Sequence, residues 1–183
     1  MQHNTHTFGR NLLRCAAIAI AAASPALVAQ SDPKFGISAS FSMPMGSLKD
    51  VAGPGFTAGA FYEMPLFEGF VQNMSLQYTS FGTKKIDYFF FSVDCSVSSF
   101  AAHYDLNYYL GPSLYALGGL SYHSYSMNVK AGSQSYSSGP EDIDTKIALN
   151  IGAGFNITET LGIEGKYVVA GDPYLQLSAR LRF

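Results

Sequence analysis

The chain has 183 residues and is slightly apolar: charged residues make up 13%, aromatics 14%, and the formal net charge is −2. No cluster of Lys or Arg stands ready to neutralise phosphates, which argues against a nucleic-acid partner. The length fits one domain, and two cysteines are too few for a disulfide framework.

Residues 1–29 read as a secretory signal peptide. Arg10 and Arg14 form the positive region, Cys15 to Ala23 the apolar core, and Pro25 to Ala29 a small-residue cleavage region. The core is too short for a membrane anchor, which needs about 20 apolar residues. A cut after Ala29 leaves 154 residues; a cut after Ala26 is the alternative. Removing two of the eleven bases and none of the thirteen acids gives the mature chain a net charge of −4. Only Cys95 survives, so no internal disulfide is expected. The mature part has no run of 18 apolar residues, so it cannot enter a membrane as a helix. The other structure that satisfies every backbone group in lipid is a closed β-barrel.

Eight segments alternate with a period of two, the signature of strands with two different faces. Phe35 to Met43 sets Phe35, Ile37, Ala39, Phe41 and Met43 against Gly36 and three serines. Phe56 to Met64 follows, with Glu63 on the second face, and then Phe70 to Ser80, where Met74, Leu76 and Tyr78 oppose Asn73, Ser75, Gln77 and Thr79. Ser98 to Leu110 alternates aromatic and aliphatic residues with His103, Asp105 and Asn107. Leu114 to Met127 is ambiguous, because Tyr115 and Leu117 compete with Leu114 and Leu120 for the apolar face. Lys146 to Ile157, Leu161 to Val169 and Tyr174 to Phe183 complete the set. A tilted spanning strand needs about 9–11 residues. No segment carries a 3.6-residue stripe, so no helix is expected beyond the leader.

Connections alternate as well. Pro65 to Gly69, Gly111 to Ser113 and Thr158 to Thr160 are short, whereas Pro44 to Gly55, Gly82 to Val97 and Asn128 to Thr145 are long. Short periplasmic turns opposite long outer loops are the pattern of an outer-membrane barrel. The short Gly171 to Pro173 connection departs from it. In the last segment Leu177, Ala179, Leu181 and Phe183 alternate with Ser178, Arg180 and Arg182 and end on an aromatic terminus.

With these features the mature chain resembles the small eight-stranded outer-membrane β-barrels: the OmpX/Ail group, the opacity-like adhesins and the OmpA transmembrane domain. The resemblance implies an all-β, antiparallel, up-and-down barrel over residues 30–183, located in the bacterial outer membrane. It implies a barrel-assembly signal formed by Leu177, Ala179, Leu181 and Phe183. It also implies a non-catalytic role in surface interaction or envelope integrity, without a cofactor or metal. Expected partners are outer-membrane lipid, lipopolysaccharide, the barrel-assembly machinery and an extracellular protein or host surface.

Parity orients the side chains. Pairing Ala170 with Tyr174 would set Glu164 opposite Arg180, Lys166 opposite Ser178, Ile163 opposite Leu181, Tyr167 opposite Leu177 and Val169 opposite Leu175. A one-residue slip would turn Glu164, Lys166, Arg180 and Arg182 into lipid, where an Arg or Lys costs about 2–4 kcal/mol at the midplane. The Thr158 to Thr160 turn likewise places Gly154 beside Glu164 and Gly152 beside Lys166. Eight strands enclose a lumen just wide enough for side chains. A polar plug is therefore expected, with Glu63, Asp105, Lys146, Glu164, Lys166, Arg180 and Arg182 as its ionic members. Two alternatives stay open: a narrow porin-like channel gated by those pairs, and a soluble periplasmic lipocalin-like barrel with every facing reversed.

His103 opposite Ser121, with Asp105 and His123 nearby, invites a hydrolase or metal reading. A filled lumen and the lack of an oxyanion hole make a hydrogen-bonded interior network the expected outcome. Barrels that deacylate lipid A use a His-x-Ser-Asn pattern; Tyr122 to Asn128 has the ingredients without the spacing. Tyr62, Tyr78, Tyr104, Tyr108, Phe155, Tyr167 and Phe183 read as interfacial girdles. In the second long loop, Lys84 and Lys85 are placed to meet lipopolysaccharide phosphates. Tyr88, Phe89, Phe90 and Phe91 form either an apolar patch for a partner or the top of a girdle on longer strands.

Overall fold

The computed structural model describes residues 32–87, 92–131, 134–137, 144–169 and 172–183. The signal-peptide reading and residues 88–91 lie outside them. The strands are β1 (Lys34–Pro44), β2 (Ala52–Phe67), β3 (Phe70–Asp87), β4 (Ser92–Tyr109), β5 (Leu114–Ala131), β6 (Gln134–Ser137), β7 (Asp144–Asn156), β8 (Leu161–Val169) and β9 (Tyr174–Arg182). All pairings are antiparallel. Eight strands close into a ring through β1–β9 and β4–β5, and β6 lies against the outer end of β5. All eight expected segments are strands of this ring, and the seven whose facing was assigned have it as expected.

One helical turn, α1 (Leu48–Val51), sits in the first long connection, where no helix was expected. It carries no amphipathic period because four residues are too few to show one; a single apolar residue, Leu48, anchors it. Each short turn closes a hairpin. Gly69, at φ +79°, occupies the left-handed position of the β2–β3 turn, a conformation that glycine adopts without a Cβ penalty.

The two faces are distributed as a membrane barrel requires. Phe35, Phe56, Leu76, Ile147, Leu149, Ile151, Leu177 and Phe183 are exposed on the outside, while Glu63, Gln72, Asp105, His123, Lys166, Gln176 and Arg180 are buried inside. A lipocalin-like barrel would show the reverse, so that reading is overturned. Phe35 meets Tyr62 at a tilt, and Phe67, Phe70 and Tyr108 form a row of tilted ring contacts at the short-turn end. Phe41 meets Phe56 toward the other end. These are paired aromatic belts of the kind that mark the two interfaces.

The structure settles β5, whose facing the sequence left open: Tyr115, Leu117, Ser121, His123 and Tyr125 are buried inside, and Leu114 and Leu120 face outward. Parity did not settle the last hairpin. Its register is Glu164↔Ser178, Lys166↔Gln176, Ile163↔Ala179 and Tyr167↔Leu175, ending at Val168↔Tyr174. The expected pairs are therefore displaced by two residues, because the last residue of β8 paired with Tyr174 is Val168 instead of Ala170. A two-residue displacement keeps every side chain on its face, so facial cost does not oppose it.

Strand length is uneven around the ring. β8 and β9 have nine residues each, while β3, β4 and β5 have eighteen. At ~3.3 Å per residue, eighteen residues run roughly 60 Å, about twice the reach of the nine-residue strands. The ring thus has one low side and one tall outer wall.

Candidate functional site

The lumen is layered, and each layer follows from the inward residues at one height. Near the short-turn end, Arg180 Nη1 lies 2.5 Å from Glu164 Oε2 and Nη2 lies 2.9 Å from Glu63 Oε1. Arg182 Nε donates to Glu63 Oε2 at 2.6 Å. Lys166 Nζ donates to Asp105 Oδ2 at 3.0 Å and lies 3.9 Å from Glu164. Three cations and three carboxylates thus form one neutral cluster. Tyr115, invisible to the sequence argument because its face was ambiguous, sits at its centre. Its hydroxyl donates to Glu164 at 2.9 Å and accepts from Arg180 at 3.2 Å. The Arg180 guanidinium also lies over the Phe61 ring at 4.0 Å.

Six of the seven expected ionic members therefore come together. The seventh, Lys146, stands at the outer rim and pairs with Asp172. Its height on β7, opposite His123, sets it above the cluster.

Above the ions lies a neutral hydrogen-bonded tier. Asn150 Nδ2 donates to Asp105 at 2.7 Å, Ser121 Oγ donates to Asn150 at 2.9 Å, and Gln176 donates to Gln77 at 3.0 Å. Ser121 is also 2.8 Å from His123 Nε2. The other His123 nitrogen faces Ser99 at 3.4 Å, and Asp105 is taken by Lys166 and Asn150. No Ser-His-Asp relay forms among these residues. Among the described residues no group of three His, Cys, Asp or Glu could hold a metal.

The outer third of the lumen is apolar, which departs from the expected polar plug. Leu48, Ala52, Phe81, Val97, Tyr125, Ala148, Val168 and Tyr174 form one buried cluster, with Val51 and Met127 against it. Phe81 and Tyr174 meet edge to face at 5.8 Å. In the sequence these residues stand singly on inward positions of different strands, so no local pattern reveals them. Helix α1 lies over the cluster and is clasped from the side. Ser47 Oγ donates to Asp172 at 2.9 Å, Lys146 pairs with the same carboxylate, and Met45 N donates to Pro173 O at 2.8 Å. Partial burial pushes the Asp172 carboxyl up, but the hydrogen bonds from Lys146 and Ser47 outweigh it and hold it below its ordinary value. Lys84 is turned inward and donates to the Lys49 carbonyl.

The second long loop is mostly strand. Lys84 pairs with Cys95 and Lys85 with Asp94, so β3 and β4 continue far beyond the upper aromatics. Lys85 is exposed, and Lys85, Asp94 and Lys130 form a cross-strand row on the outer face of the wall. Cys95 is buried.

The same closed ring occurs in known proteins. Ail, the attachment invasion locus protein of Yersinia pestis, superposes with a TM-score of 0.53 at 15% identity, over 82% of this chain and 96% of Ail. Neisserial surface protein A gives 0.54 at 15%, over 83% and 96%. A major outer membrane protein from Thermus thermophilus gives 0.52 at 13%, over 84% and 100%. The chain has the fold of the small outer-membrane β-barrels. No protein-family profile matches it, and no curated protein does. At these identities the shared ring carries the likeness, and the barrel's chemistry has to be read from its own side chains.

Proposed function

We propose that this barrel is an integral outer-membrane protein that acts through its tall outer wall in surface interaction, without catalysis or conduction. The observation that carries the reading is the asymmetry of the ring: β3, β4 and β5 are twice as long as β8 and β9. Length beyond what a bilayer needs is unnecessary for spanning, so it is available for a partner. Beyond Thr83 the β3 edge has no β2 partner, which leaves a strand edge of the type that captures extended segments. With Lys84 turned inward, exposed Lys85 and Lys130 on the outer face support a reading in which this wall meets lipopolysaccharide phosphates. The outward residues Leu177, Leu181 and Phe183 support the assembly-signal reading of β9. The apolar cluster and the clasp of α1 speak against a channel, and the occupied His123 and Asp105 against catalysis. One of the structural neighbours is named for attachment, which agrees with this role.

The test is to replace residues 86–93 by an Asn-Gly turn, joining Lys85 directly to its partner Asp94. A larger excision reaching Val97 would breach the apolar cluster and confuse loss of binding with loss of fold. Displayed on a non-adherent bacterium, the intact barrel should confer attachment to cell monolayers or matrix-coated surfaces. The trimmed barrel should not, while keeping the heat-dependent gel mobility of a folded barrel. Equal attachment by both would sink the proposal.

A further inference from the structure

Above Tyr78 and Phe100 the outer face of the tall wall changes chemistry. Phe100 and Tyr108 are both exposed on the outside and stand eight residues apart on β4. At ~3.3 Å per residue and a tilt of about 35–45°, that spans roughly 20 Å of height, close to the ~25 Å apolar band of a membrane barrel. Phe100 and its cross-strand partner Tyr78 therefore mark the upper edge of that band. On β3, β4 and β5 above them, no described outward side chain is apolar. Ser80, Ser98 and Ser126 form the first row across the three strands, and Ser96 and Asn128 stand in the next. Lys85, Asp94 and Lys130 form the row above, all three exposed.

This face lacks the aromatic or aliphatic anchor around which protein interfaces are built. Serine and asparagine side chains both donate and accept, as the hydroxyls of a sugar do. The top row sets two ammonium groups beside one carboxylate, an excess of positive charge that suits an anionic partner. Height decides which one. Asp94 lies six residues beyond Phe100 in an unbroken β4–β5 ladder. That is ~20 Å along the strand, or about 15 Å above the apolar band. Phosphates attached to the lipid itself lie level with the interfacial aromatics, too far below Lys85 and Lys130 for a lysine side chain to reach. Phosphates on the sugars that extend outward from the lipid stand at the right height. We propose that the outer face of β3–β5 binds the phosphorylated core oligosaccharide of the surrounding lipopolysaccharide. Its hydroxyls lie on the serine and asparagine rows, and its phosphates on Lys85 and Lys130. The inference rests on the reading of the tall wall as extracellular, and it names the phosphates that the wall meets. A core anchored in the same leaflet runs alongside this face, whereas a glycan from another cell has to displace it first.

The experiment uses the folded barrel in nanodiscs of three compositions, followed by nuclear magnetic resonance. The discs hold phospholipid together with lipid A, with rough lipopolysaccharide whose core is phosphorylated, or with rough lipopolysaccharide whose core lacks phosphate. As its share of the disc rises, the phosphorylated core should saturably shift the side-chain signals of Lys85 and Lys130 and the backbone signals of residues 94–98 and 126–130. Lipid A should leave them unmoved, and the unphosphorylated core should bind about tenfold more weakly. Lys85→Gln combined with Lys130→Gln should lose the same factor. Asp94→Asn removes the competing carboxylate and should bind more tightly, by about threefold. Both variants should keep the heat-dependent gel mobility of the folded barrel. Equal shifts with lipid A would overturn the proposal and assign the lysines to phosphates at the membrane surface. Equal binding of the two cores, or no effect of the lysine variant, would overturn it as well. Replacing residues 86–93 leaves Lys85, Asp94 and Lys130 in place, so the trimmed barrel should keep core binding while it loses attachment. Failure of core binding with attachment intact therefore overturns this inference alone.

Discussion

Glu164 and Arg180 are not cross-strand partners, yet their side chains meet at 2.5 Å inside the barrel. Glu164 stands opposite Ser178, two residues before Arg180. The small Ser178 and the length of the arginine let the guanidinium reach back diagonally and hold Glu63 with its other nitrogen. Removing Arg180 leaves two buried carboxylates short of a cation. Breaking a buried pair on one side costs about 3–5 kcal/mol, so Arg180→Met should unfold that much more easily in denaturant titrations in lipid. A loss under about 1 kcal/mol would mean that water enters and solvates the cluster.

Gly154 faces the ring of Tyr115, and a Cβ there would overlap the ring carbons and hydroxyl. That ring cannot retreat, since Glu164 and Arg180 both hold its hydroxyl. Gly154→Ala should therefore destabilise the barrel by about 1–3 kcal/mol, the usual range for overpacking. The double variant with Tyr115→Phe should recover part of that loss, because the ring is no longer held by its hydroxyl. Tyr115→Ala combined with Gly154→Ala should show strong coupling in a double-mutant cycle.

Single-channel recordings test the seal. Wild type and Arg180→Ala should both be silent, because the obstacle in the outer third is Phe81, Tyr125 and Tyr174 under α1, well above the ion cluster. Conduction by Arg180→Ala alone would show that the ion pairs, and not the apolar cluster, close the lumen.

The clasp on α1 gives a pH dependence whose sign follows from Asp172. Its carboxyl is held below the ordinary value, so the clasp contributes stability above the ordinary carboxylate range, about pH 4. That contribution is lost as pH falls through the lower folded value. The chain has no tryptophan, so Val51→Trp supplies a single fluorophore on α1. Its emission should be constant from about pH 5 to 8, shifting red only in stronger acid, and Asp172→Asn should show the red-shifted state throughout. A transition centred near neutrality would contradict the clasp.

Strand existence, facing and the charged side of the lumen were legible in the chain, because a period of two assigns each side chain to a face whatever strand it pairs with. Glycines 152 and 154 could be placed opposite Lys166 and Glu164 because a short turn leaves little freedom in register. Three features could not be read. The last hairpin's register is invariant to parity under a two-residue shift, so only the closed ring selects between the alternatives. Tyr115, Phe81 and Tyr174 become a centre and a cap only when strands far apart in sequence converge. The reach of β3 and β4 depends on ladder pairing that resumes beyond an irregularity between Ser80 and Lys84, which a period of two does not report. Sequence alone fixed which side of each strand is wet or buried, a local steric matter. The tertiary structure decided which side chains share a height in the lumen, because that depends on stagger around the whole ring.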